Sequence, residues 1–159
     1  MYRISKAMTQ QAFEKTFHVG WADVDMNGHL ANTAYINLAV DVRLFFFEEN
    51  GFSVMEFHRQ GFGPVMRRDE IEYYRECRLL DNVRITLKLA GISRDGSRFK
   101  IRQDFYHFDD TLAATLYSTG GWLSARERKL IAPPREITEM WDTLARTEDF
   151  EEMPSSIRK

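Results

Sequence analysis

At 159 residues, 43% of them hydrophobic and 29% charged, the chain is long enough for one domain with a sizeable core. A formal net charge of -2 gives no reason to expect a nucleic-acid partner, although 22 lysines and arginines leave room for a local basic patch. The single cysteine, Cys77, excludes an internal disulfide. The opening residues, Met1 to Phe13, hold no apolar core of signal-peptide length, so the expected setting is the cytoplasm.

In chain order, the first element is an alternating run. Phe17, Val19 and Trp21 are large and apolar at odd positions, the period of a half-buried strand. Continued by the same parity, Asp23 and Asp25 point to the core side, where a carboxylate needs nearby donors. Gly28 loosens the turn that follows. From Thr33 the pattern is helical, with Asn32 as a fitting N-cap and Asn50-Gly51 as a fitting stop. The residues between, from Ala34 to Phe47, are apolar on nearly every face and must be wrapped by something. They are too few for a membrane span and include Asp41 and Arg43.

Residues 62–76 mix Val, Ile and Tyr with charges, as a long edge strand does. Val83, Ile85, Leu87 and Leu89 alternate strictly with Arg84, Thr86, Lys88 and Ala90, which predicts a strand. Asp95-Gly96 marks a hairpin turn, and Phe99, Ile101 and Phe105 begin the next strand. After Asp109-Asp110, Leu112 to Leu123 form a last strand, expected to break at Gly120-Gly121. Pro133-Pro134 ends the sheet, and Ile137, Met140, Trp141 and Leu144 repeat at helical spacing. Residues 148–159 are polar enough to be a loose tail. The order predicts an α+β fold, an antiparallel sheet curled around one long central helix.

The chemistry concentrates between Trp21 and Tyr35. No Gly-x-Ser-x-Gly elbow, phosphate loop or zinc spacing occurs. His18, Asp23, Asp25 and His29 match no metal pattern with a mechanism, so no metal and no cofactor are expected. Asp25 is a carboxylate at neutral pH and can serve as base or nucleophile. The first N–H groups of the helix, at Asn32 and its neighbour, offer a positive end where charge develops on a carbonyl oxygen. His29 near that end is held neutral as a hydrogen-bonding group, and Asn27 orients a water or Asp25 itself. Asp23 reads as a structural acid capping the turn.

The string Asp25-Met26-Asn27-Gly28-His29-Leu30-Ala31-Asn32, with Tyr35 behind it, resembles the signature of hotdog-fold thioesterases. It is similar both to the 4-hydroxybenzoyl-CoA thioesterase group and to plant acyl-carrier-protein thioesterases. The order of elements agrees over nearly the whole chain, including Gly63-Pro64-Val65 entering one strand and Ile131-Ala132-Pro133 leaving the last. The resemblance implies a single hotdog domain over residues 1–159, acting on an acyl-CoA or acyl-carrier-protein thioester without a cofactor. It implies Asp25 as the catalytic acid of an Asp-x-Asp pair, the Asn32 N–H as the donor to the carbonyl, and Asp25, Asn27 and His29 as an Asp-x-Asn-x-His run. One departure is Ala31-Asn32, where the family often carries two asparagines.

Because such folds build their tunnel between subunits, the resemblance further implies a homodimer or a dimer of dimers; charge and the short apolar run lead to the expectation of neither nucleic acid nor membrane as partner. Tyr35 is a candidate substrate contact, and Arg67, Arg68 and Arg94 are candidates for the phosphate end of the ligand. Two other readings share the fold: a hotdog dehydratase or hydratase, and a non-catalytic acyl-thioester binder or assembly subunit.

Overall fold

The structure is a computed structural model in which residues 12–157 are described. The opening residues examined for a signal segment lie almost wholly outside that range, as do the last two residues of the expected tail. The described elements are β1 (Phe13–His18), α1 (Asn32–Glu49), α2 (Val54–Gln60), β2 (Phe62–Tyr73), β3 (Asn82–Ser93), β4 (Arg98–His107), β5 (Leu112–Ser124), β6 (Leu130–Ile131), α3 (Arg135–Trp141) and β7 (Arg146–Met153). The strands form one sheet in the order β1-β3-β4-β5-β2, with β6 on β5 and β7 on β3. Only β7 runs parallel to its neighbour.

The hydrophobic alternation decides which face of the sheet meets α1. Val83, Ile85, Leu87 and Leu89 of β3 are buried, as are Phe99, Ile101 and Phe105 of β4. Against this face lie Ala34, Leu38, Val42 and Phe46 of α1. The expectation of a long helix held by a curled antiparallel sheet is met, and the architecture is the hotdog fold. The helix is not wrapped all round, however. Val40, Leu44 and Phe45 stand about two-fifths exposed on its far side. The end of the core by α2 and α3 is sealed by aromatic rings, with Trp122 stacked on Phe57 at 6.1 Å and Phe46 stacked on Trp141 at 5.6 Å.

Several expectations are corrected. β1 ends at His18, because Gly20 is followed by a 3-10 turn over Trp21–Asp23 in which the Asp23 N–H donates to the Gly20 carbonyl at 3.0 Å. Parity therefore stops, and Asp25 is exposed instead of core-facing. The N-cap of α1 is Ala31, not Asn32; Asn32 is the first helical residue, and no side chain caps this end. Gly120-Gly121 does not break β5, since both residues pair with β4 and with β2. Glycine is required there for close approach: a Cβ on Gly120 would lie 2.5 Å from the Val65 carbonyl oxygen.

The expected tail is mostly strand. β7 pairs through Glu151, Glu152 and Met153 with Gly91, Ile92 and Ser93. Its polarity suits an edge strand, because its acids meet cations already on the sheet: Glu151 with Lys100 at 3.1 Å and Glu152 with Arg94 at 2.7 Å. α2 was not expected from the residues; its signals are Ser53 accepting from the Glu56 N–H at 3.2 Å and Gly61 in the left-handed region at the other end. Leu144, expected to extend α3, lies beyond its end but is buried. No described helix is long and apolar enough to cross a membrane.

Candidate active site

The segment between β1 and α1 folds into two consecutive turns. At its start the Val19 N–H donates to the Asp81 carbonyl at 2.8 Å and the Val19 carbonyl accepts from the Leu80 N–H at 2.9 Å, and the Ala31 N–H donates to the Asp23 carbonyl at 2.8 Å. The tip runs from Asp25 to His29. The Asp25 N–H donates to the His29 carbonyl at 2.8 Å, and Gly28 closes the turn with φ +73. That positive φ is why a glycine sits at this corner.

The Asp25 side chain binds its own turn. Oδ1 accepts from the Asn27 N–H at 2.8 Å and from the His29 N–H at 3.2 Å. Among the described residues no donor meets Oδ2. The capping role expected of Asp23 therefore belongs to Asp25, because only Asp25 has two N–H groups turned toward it. The result is a carboxylate fixed through one oxygen, with its other oxygen available to a water molecule.

Asp25, His29, Asn32 and Tyr35 line one cleft of about 340 Å³. α1 begins here, and among the described residues no acceptor meets the N–H of Asn32 or Thr33. Asn32 lines the cleft with Asp25, so the positive end of an 18-residue helix opens beside that carboxylate, with the Thr33 N–H next along the chain. Asn27 is brought only to the outer corner of the turn, and its side chain is not part of the cleft wall.

Tyr35 is 3% exposed and stands edge-on to Tyr73 and Phe105, each at 5.1 Å. Burial, and then the neighbouring Cys77 thiol, push its phenol well above the ordinary range. Burial likewise pushes the Cys77 thiol up, which disfavours the thiolate a nucleophile needs. Both are therefore neutral at physiological pH; Tyr35 lines the cleft and Cys77 is buried behind it.

The opposite wall was not foreseen. Tyr73, Tyr74, Arg75 and Glu76, where β2 runs out toward β3, complete the cleft. They arrive because Tyr74 and Arg75 both donate N–H groups to the Ala113 carbonyl, at 2.8 and 3.1 Å. The local signal was a Tyr-Tyr-Arg-Glu string at the end of an edge strand, indistinguishable in sequence from the strand itself. The Glu76 carboxyl is held below its usual value by its own backbone N–H and by Arg78, with His29 adding a smaller effect.

The three arginines singled out from sequence are not brought to this cleft. Arg68 pairs with Glu70 on β2, and Arg67 lies at the bulge between Met66 and Arg68. Arg94 pairs with Glu152 at 2.7 Å beside a separate cleft at the far end of β3. That strand has 12 residues, which places Arg94, one residue past its end, roughly 40 Å along the sheet from Asn82 at about 3.3 Å per residue. Among the described residues no three His, Cys, Asp or Glu side chains converge as a metal site requires.

A sequence profile of the thioesterase-like superfamily matches residues 19–145. The chain belongs to the thioesterase-like superfamily. Among curated proteins, no sequence matches it. Solved structures do resemble it in fold. The hypothetical protein SAV2348 from Staphylococcus aureus, determined in complex with CoA, superposes with a TM-score of 0.78 at 24% identity, covering 88% of this chain and 90% of its own. Slr0204, a 1,4-dihydroxy-2-naphthoyl-CoA thioesterase from Synechocystis, gives 0.75 at 15% identity over 82% of this chain and 96% of its own. YbaW, a probable thioesterase from Escherichia coli, gives 0.71 at 18% identity over 84% of this chain and 98% of its own. For this superfamily member, the matched span of the profile runs from the end of β1 to just past α3 and so contains the whole cleft.

Proposed function

We propose that this superfamily member hydrolyses the acyl thioester of CoA or of a carrier protein. The observation that carries the reading is the meeting in one cleft of Asp25, with one oxygen fixed and one free, and Asn32 at the start of α1, where its N–H and that of the next residue, Thr33, are unpaired. A thioester carbonyl seated against those N–H groups is polarised by them and by the helix end. Water held at Asp25 Oδ2 attacks the carbonyl carbon and passes a proton to the carboxylate. The carbonyl oxygen becomes an oxyanion at the two N–H groups. When the intermediate collapses, the carbon–sulfur bond breaks and the proton on Asp25 goes to the departing thiolate. His29, on the same cleft wall, serves as a hydrogen-bonding group, and Arg75 faces the phosphate-bearing end of the ligand.

Two features favour a second subunit. β2 ends the sheet with no described strand on its outer edge, and Val40, Leu44 and Met66 are exposed apolar side chains on α1 and on that strand. A homodimer joined along β2, alone or doubled, covers both. Release of thiol from short, long and aromatic acyl-CoAs, followed with a thiol-reactive dye, tests the activity. Turnover no faster than the uncatalysed background across that panel would overturn the hydrolase reading, and acyl-CoA binding without turnover would support the non-catalytic binder instead. A monodisperse monomer in light scattering at micromolar concentration would overturn the assembly.

A further inference from the structure

Arg43 lies on the buried face of α1 and is 6% exposed. Its Nε donates to Gln103 Oε1 and its Nη2 to Ser118 Oγ, both at 2.7 Å. Ser118 in turn donates to Asp69 on β2, and Gln103 Nε2 donates to the Ala39 carbonyl at 2.9 Å. A guanidinium carries five N–H donors in a fixed plane. Two find protein acceptors here, and among the described residues none meets those of Nη1. Burial pulls the Arg43 pKa down and Asp69 pulls it back, so the group stays a cation at any physiological pH.

This cation forms part of the wall of a cavity of about 360 Å³ between α1, α2 and β2. The rest of the wall is mostly apolar, with Leu44, Phe47, Phe57 and Phe62 among its side chains; the other polar groups are the exposed ring of His58 and the Trp141 indole, whose buried Nε1 meets no acceptor among the described residues. Nη1 keeps some accessible surface; a hydrocarbon filling the cavity would displace water there without replacing its hydrogen bond, and a donor so buried without a partner is costly. A ligand oxygen at Nη1 removes that cost.

We propose that this cavity receives the acyl group, and that Arg43 selects an acyl group bearing an oxygen acceptor at its far end, either hydroxyl or carboxylate. The proposal rests on the thioester reading above. Arg43 lies 11 residues beyond Asn32 on the same helix (43 − 32), roughly 16 Å along its axis at about 1.5 Å per residue. The oxygen therefore belongs to the distal part of a medium or long chain. Sites built to hydrogen-bond a substrate oxygen discriminate strongly against the analogue lacking it, because their polar groups are then left unpaired.

The test compares dodecanoyl-CoA and hexadecanoyl-CoA with their ω-hydroxy and ω-carboxy counterparts. The expected result is a kcat/KM about ten-fold or more higher for the oxygenated acyl groups, with the preference lost in Arg43→Met. The two oxygenated arms separate a neutral acceptor from an anion. Equal kcat/KM across the set overturns the proposal, as does a preference that survives Arg43→Met. Should that variant fold poorly, Arg43→Met combined with Asp69→Asn removes the stranded carboxylate and restores the comparison. Calorimetric titration of the corresponding S-alkyl-CoA thioethers, which have no bond to hydrolyse, reads the cavity without turnover. An Arg43-dependent preference among the thioethers for the ω-oxygen, with no thiol release from any thioester, supports the cavity and overturns the hydrolytic role of Asp25. Hydrolysis and thioether binding that both ignore the ω-oxygen overturn the selection by Arg43 alone.

Discussion

Replacing Asp25 by Asn separates the chemistry of the cleft from its architecture. The amide keeps an acceptor oxygen where Oδ1 now takes the N–H groups of Asn27 and His29, at 2.8 and 3.2 Å. What disappears is the charge. A hydrogen bond to an ionised group contributes about 1.5–3 kcal/mol and a neutral one about 0.5–1.5, so two bonds differ by roughly 2–3 kcal/mol in the unscreened limit. Asp25 is exposed, and solvent screening reduces that difference to about 1 kcal/mol or less. For a chain of this size 1 kcal/mol corresponds to about 2–4 °C in Tm. Loss of a general base, by contrast, costs about 10²–10⁴ in rate. Asp25→Asn is thus expected to melt within a few degrees of the native protein while losing most of its thiol release, measured with a thiol-reactive dye at saturating acyl-CoA. Asp25→Ala removes the acceptor as well and costs about 1–2 kcal/mol more stability, as loss of a cap does. Native turnover in Asp25→Asn would refute the mechanism. A large fall in Tm with unchanged rate per folded molecule would make Asp25 a turn-former and nothing else.

Gly120→Ala brings a Cβ to 2.5 Å from the Val65 carbonyl oxygen and 2.9 Å from the Phe99 ring, so β2 and β5 must separate locally. The expected cost is about 1–3 kcal/mol, checked by denaturant unfolding at constant m; an unchanged midpoint would contradict the close approach. Asp95 tests a pH dependence. Burial raises its pKa, but the hydroxyls of Ser155, Ser93 and Ser97 and the Ser97 N–H outweigh it and hold the carboxyl well below the usual range. A depressed folded-state pKa stabilises the fold in full above the unfolded value near 3.8, and that contribution is lost progressively as pH falls from there through the lower folded-state value. Asp95→Asn should therefore lower Tm at neutral pH, with the gap to the native protein closing below about pH 4; a gap that persists in acid would rule out the charge as its source.

The strands β2 to β5, their turns and the long helix were legible in the residues because each is a local pattern. Val83 to Leu89 alternate, Asp95-Gly96 turns, and Ala34 to Phe47 is too long and too apolar to be anything but a core helix. The string from Asp25 to Tyr35 carried half of the cleft for the same reason, since a turn and the helix it leads into are contiguous. Local pattern failed where a distant segment decides. Parity carried β1 too far because a 3-10 turn over Trp21–Asp23 resets it. β7 looked like a polar tail because its stabilising partners, Gly91 to Ser93 and two basic side chains, lie some 60 residues earlier in the chain. Gly120 looked like a break because the carbonyl that excludes a side chain there belongs to Val65. Tyr73 to Glu76 and the Arg43 array escaped altogether. Residue type alone does not say that a buried arginine meets Gln103 and Ser118, or that an edge strand ends against the start of a helix. Those facts come from the curvature of the sheet around α1, which brings β2, β4 and β5 to one helix face.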